Sequence, residues 1–120
     1  MYNDQFETRL ARVRHRFATS LESKIRNAVV SADCMTHGGG GVAKHISNSY
    51  RDLHGICGIG PSVGFAATGE AARVAEAALM QAHHENRGLS EREVISLKKA
   101  LESLRVAAVS ELRLMYQRGG

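Results

Sequence analysis

From Phe6 onward the apolar residues recur as Phe6, Leu10, Val13, Phe17, Leu21, Ile25 and Val29. That spacing draws one stripe down a helix, with Arg12, Arg14, Arg16 and Glu22 off it. Asn3 or Asp4 is placed to cap the start, and the helix should run to about residue 32, about 40 Å at 1.5 Å per residue. Residues 33–41, Asp-Cys-Met-Thr-His followed by four glycines, read as a flexible connector. A second helix begins near Val42, with Val42, Ile46, Tyr50, Leu53 and Cys57 as its buried positions. A third, Ala-rich helix covers about Phe65 to His84, and Asn86-Arg87-Gly88 turns the chain. Ser90 and Glu93 then form a capping box, each side chain reaching the other's backbone N–H. The helix they start buries Val94, Leu97, Leu101, Leu104, Ala108, Leu112 and Met115 and stops before Gly119-Gly120. Long amphipathic helices joined by short connections predict an all-α fold, an up-down antiparallel four-helix bundle over about residues 4–117 of a single domain, 1–120.

Composition agrees. The chain is 43% apolar but only 5% aromatic, with no Trp and a single Pro. Ala, Leu, Val and Ile therefore carry the burial, as in helical proteins. At 120 residues it can bury a core without disulfides or metal. Sixteen basic against twelve acidic residues give a net charge of +4. No Lys/Arg run with interleaved aromatics is present, so the surface reads as solvated and suited to acidic protein partners, not nucleic acid. Two cysteines, Cys34 and Cys57, are too few for a secreted disulfide framework. Residues 1–16 are charged throughout, unlike a signal peptide, and no apolar run approaches the ~20 residues of a membrane span. Cytoplasm, with no membrane partner, is the expectation.

The segment Leu53-His54-Gly55-Ile56-Cys57-Gly58-Ile59-Gly60-Pro61-Ser62-Val63-Gly64-Phe65 departs from a plain scaffold helix. Each glycine in a helix interior costs about 1 kcal/mol against alanine, so Gly55, Gly58 and Gly60 together require a reason. Helical spacing supplies one: Gly58 lies four residues after His54 and Gly55 beside it, so the surface around the imidazole is stripped of side chains. His54, at the edge of the stripe and just past Tyr50, is then accessible. Pro61 removes an N–H and crowds the Cys57 carbonyl, so the helix either kinks or ends near Gly60.

His54-x-x-x-Gly58, followed by Gly64-Phe65 and an Ala-rich helix holding Gly69, Arg73 and Glu76, resembles the histidine-containing phosphotransfer (HPt) domain family. The run Arg16-Phe17-Ala18-Thr19-Ser20-Leu21 looks like that family's opening helix, and the resemblance covers about residues 6–115. It implies a phosphocarrier, not an enzyme. His54, on the second long helix, would accept a phosphoryl group from a receiver-domain aspartate and pass it to another receiver. The partners implied are response-regulator receiver domains or a hybrid histidine kinase, with Mg²⁺ and the catalytic groups on the receiver and no cofactor on this chain. The family often has Lys or Arg three residues after the histidine, where this sequence has Cys57. Arg51, three residues before His54, and Lys44 are the candidate sources of that positive charge, with Gly55, Cys57 and Gly58 completing the docking neighbourhood. No P-loop or kinase-like glycine motif provides an ATP site.

Two other readings stay open. Cys34-x-x-His37 and His54-x-x-Cys57 have ligand-like spacing and would make a Cys₂His₂ zinc set, although Cys57 falls on the buried stripe. A bundle that binds receivers without accepting phosphate would keep the same pattern. His15, His37, His45, His83 and His84 read as solvent-facing or loop residues, and the bundle, having consumed its stripes, as a monomer.

Overall fold

The computed structural model describes the backbone of residues 2–36 and 40–118, and the side chains from Gln5 onward. Four helices form a bundle: α1, Tyr2–Ala32; α2, Val42–Ile59; α3, Ala66–Glu85; and α4, Glu91–Gln117. The capping role expected of Asn3 or Asp4 rests on side chains outside the described residues. Each helix packs on the next, and α1 closes on α4. Three polar contacts fix the up-down course. Arg14 Nε donates to the Val63 carbonyl at 2.9 Å, bringing the first half of α1 to the turn that follows α2. Lys98 pairs with Asp33, joining the start of α4 to the end of α1. Glu111 accepts the N–H groups of Ala67 and Thr68, so the end of α4 caps the start of α3.

The core is drawn from all four helices, with Leu21, Ile46, Leu53, Ile56, Leu79, Leu97, Leu101 and Leu104 almost fully buried. All seven expected stripe positions of α4 are buried. The stripe of α1 behaves differently. Phe17, Leu21 and Ile25 are buried, but Phe6 is 66% exposed, Val13 44% and Val29 46%. The first turns of α1 reach beyond the hairpin made by α2 and α3: the molecule is 55 Å long, whereas the twenty residues of α3 span about 30 Å. Phe6 falls in that overhang, whereas Val13, next to the Arg14 that reaches Val63, is turned off the face buried by Leu21, Ile25 and Ala28. On α2, Tyr50 and Cys57 are only half-buried, and Ser49 and Ile56 take the core positions.

Of the two outcomes open to it, Pro61 accompanies the end of the helix. The α-helix stops at Ile59, and the chain continues as a single 3₁₀ turn, Gly60–Val63, with the proline in its first turn, where no N–H is needed. Gly64, at φ 93°, ends that turn in the left-handed region. Phe65 then packs its ring on Phe17, centroids 5.1 Å apart. The start of the connector is anchored: Met35 is fully buried, and its carbonyl accepts the Leu89 N–H at 2.7 Å.

The capping box at Ser90 and Glu93 forms as expected, and Arg87 extends it. Its guanidinium lays two bonds on the Glu93 carboxylate, at 2.8 and 3.1 Å, and a third on Glu85. Arg87, helped by the Ser90 N–H, holds the Glu93 carboxyl down at about 2 instead of 4.5. A carboxyl depressed by folding contributes stability above its unfolded value and loses it as pH falls through the folded one. Urea midpoints should therefore fall as pH drops from about 4.5 toward 2, and Glu93→Gln should flatten that part of the profile. An unchanged acid slope in Glu93→Gln would place the sensitivity elsewhere. Among the described residues, no helix is long and apolar enough to cross a membrane.

Candidate functional site

His54 lies on α2 one helical turn after Tyr50, at the edge of the buried stripe facing α3. Its side chain is 70% exposed. Beneath it, Glu76 of α3 is buried, its side chain only 9% exposed, and Glu76 Oε1 lies 2.7 Å from His54 Nδ1. An ionised carboxylate can only accept, so Nδ1 carries the proton of that hydrogen bond. On a neutral imidazole the other nitrogen, Nε2, then keeps its lone pair. The arrangement sets an exposed imidazole on the outside, with a buried carboxyl group against its Nδ1 on the inside.

The ground around it is open. A Cβ built on Gly55 or on Gly58 meets nothing within 4 Å, so both glycines leave the crest of α2 bare. Gly60 and Gly69 do a different job, packing the 3₁₀ turn against α3: a Cβ on Gly69 would sit 2.7 Å from Pro61 Cδ, and one on Gly60 3.0 Å from the Phe65 carbonyl. The glycines of this segment thus divide into surface and packing positions.

Arg51 is on the same crest, exposed, and makes no ion pair among the described residues; it lines an open groove with Arg26 and His45 of α1 and α2. Cys57, expected in the buried stripe, is half-buried against the core one turn beyond His54. Lys44 is not brought to the site. It is ten residues before His54 on one continuous helix, about 15 Å along the axis. The zinc pairing does not assemble either: among the described residues no group of three or more His, Cys, Asp or Glu side chains is arranged to hold a metal ion. Cys34 is exposed in the turn after α1, and His37 lies outside the described residues.

Two neighbours of the site carry no assigned site role from the sequence, although Glu76 is among the residues that carry the resemblance. Glu76 is the first. Its signal was available in the helical phase of α3, where it is the one carboxylate among the buried positions Ala72, Ala75, Leu79 and Ala82. A charge at such a position is costly unless paired, and the pair is His54. His83 is the second. It is not a solvent-facing residue: it is half-buried, and its ring stacks on Tyr50 with centroids 4.4 Å apart. His15, His45 and His84 are exposed, as expected.

Comparison with family models, with curated proteins and with solved structures gives no match. The site therefore rests on its own geometry and on the sequence pattern that led to it.

Proposed function

We propose that this chain is a histidine phosphotransfer protein that carries a phosphoryl group on Nε2 of His54 between receiver domains. The observation that supports this reading is the His54–Glu76 pair: an exposed imidazole, anchored through Nδ1 to a buried carboxylate, on a helix crest cleared by Gly55 and Gly58. A structural histidine has no use for a bare surround, and each of those two glycines costs the helix about 1 kcal/mol.

In the proposed reaction the Nε2 lone pair attacks the phosphorus of an aspartyl phosphate on the donor receiver. The new N–P bond forms as the acyl phosphate P–O bond breaks, and the aspartate carboxylate leaves with that electron pair. Attack leaves positive charge on the imidazole, and the Glu76 carboxylate on Nδ1–H stabilises it where it develops. The same steps in reverse, with a second receiver's aspartate as acceptor, return the ring to neutral. The guanidinium of Arg51, one turn away on the crest and without an ion pair among the described residues, adds favourable charge for the phosphoryl oxygens.

The test is transfer of label from a radiolabelled phospho-receiver to the full chain. The product should be acid-labile and alkali-stable, as a phosphoramidate is. Label that survives acid belongs to a hydroxyl ester and sinks the reading. So does the absence of transfer from a panel of phosphorylated receivers, which would leave a receiver-binding bundle.

A further inference from the structure

The charge of this chain is unevenly placed. Helices α1 and α2 carry eight Lys and Arg against four acidic residues, whereas α3 and α4 carry six against seven. Pairing follows the same division. Arg73, Arg87, Lys98 and Arg105, on α3, α4 and the turn between them, each meet a carboxylate. Among the described residues no Lys or Arg of α1 or α2 enters an ion pair. The basic half of the bundle therefore projects its charge outward, where it attracts anionic surfaces.

Two of these free cations meet beside the site. Arg26 of α1 and Arg51 of α2, both exposed, line an open groove of about 420 Å³ between the two helices, with His45 and Asn48 on the α2 wall and Val30 on the α1 wall. Half-buried Asp52 is the one acidic residue among those that line it. Val30 is 67% exposed and its neighbour Val29 46%, so apolar surface adjoins the two guanidiniums. Arginine set among exposed apolar side chains suits a protein interface, and no aromatic ring lines the groove for a base to stack on. Arg51 stands one turn before His54 on α2, which makes the groove continuous with the crest bared at Gly55 and Gly58. On the other side of His54, the exposed Arg73 of α3 is already tied to Glu70.

We infer that the partner exchanging phosphate with His54 docks across α2 onto α1, not onto α3, and sets a carboxylate-bearing surface against Arg26 and Arg51. The proposed role of His54 enters only through the identity of that partner. Arg51, close to the imidazole, also serves the phosphoryl group. Arg26, on the far wall of the groove, has no place in the reaction and acts on partner selection alone. An acidic surface is drawn to this half of the bundle and gains in encounter rate, while a basic one is repelled.

The experiment follows label transfer from a phosphorylated receiver to the full chain at increasing receiver concentration. Arg26→Glu should raise the half-saturating concentration about tenfold or more and leave the maximal rate unchanged. Arg26→Gln should do the same to a smaller degree. Lys99→Glu makes an equal change of charge on the exposed face of α4, and screening should hold its effect below about twofold. Added salt should weaken the wild type more than Arg26→Glu. Transfer indifferent to Arg26→Glu, or equally sensitive to Lys99→Glu, overturns the inference. So does a loss confined to the maximal rate, which would move Arg26 into the chemistry. Where no receiver passes label the carrier reading fails instead, and backbone amide NMR with a glutamate-rich peptide then decides the groove. Shifts at Asn27, Val30 and Asn48 that vanish in Arg26→Glu keep it as a site for acidic protein. No shift there removes it, as does a stronger response to duplex DNA or to vesicles of anionic phospholipid.

Discussion

His54→Gln protein should take up no label from a phosphorylated receiver, while its helical circular dichroism and urea midpoint stay within about 1 kcal/mol of wild type. Loss of transfer should be complete and not partial, because an amide nitrogen has no lone pair free to attack phosphorus and no other histidine on the crest shares the anchored geometry. His83 lies under Tyr50, and His84 is the last imidazole of the row. Stability should be spared for two reasons. The His54 side chain is mostly in solvent, and the glutamine amide can still donate to Glu76, so the buried carboxylate is not stranded. Label persisting on His54→Gln would assign the acceptor elsewhere. A variant that melts instead would make the His54–Glu76 pair a structural one.

The helices were legible in the chain because their periodicity is strong and their ends are chemically marked. The capping box at Ser90, the left-handed Asn86 and the stop before Gly119 all follow from short-range rules. Periodicity did not reveal where the partner helices stop. Phe6 continues the stripe of Phe17 and Leu21 without a break, yet it is exposed, as are Val13 and Val29 at the edges of the face that packing selects. The same limit applies to the site. His54, Gly55 and Gly58 share one helix, so their spacing alone makes a surface. Glu76 and His83 arrive from another helix, twenty-two or more residues away, and their alignment with His54 and Tyr50 depends on how α3 is pinned against the 3₁₀ turn. Lys44 shows the converse error: it shares the helix of His54, but a continuous helix keeps the two three turns apart.

That pinning gives two glycines of one motif opposite expected behaviour. Gly58 faces open space, so Gly58→Ala should stabilise the helix, by up to about 1 kcal/mol. Gly58→Leu should fold about as well as wild type yet accept phosphate far more slowly, since its side chain stands on the crest that a docking receiver must cover. Gly69 is the reverse case. A methyl there lies 2.7 Å from Pro61 Cδ and 2.9 Å from Cγ, and a proline ring cannot swing aside as a long side chain can. Gly69→Ala should therefore destabilise by about 1–3 kcal/mol, the usual range for overpacking. It should also slow transfer as α3 shifts, because Glu76 rides on the same helix two turns along. Urea melts and transfer rates on the three variants decide the matter together. Gly58→Leu transferring at the wild-type rate removes the docking explanation for the bare crest. Gly58→Leu unfolding would put that glycine against the core and reverse the orientation of α2. Gly69→Ala at full stability would mean that the 3₁₀ turn gives way at no cost, in which case nothing in this packing holds Glu76 in place beneath His54.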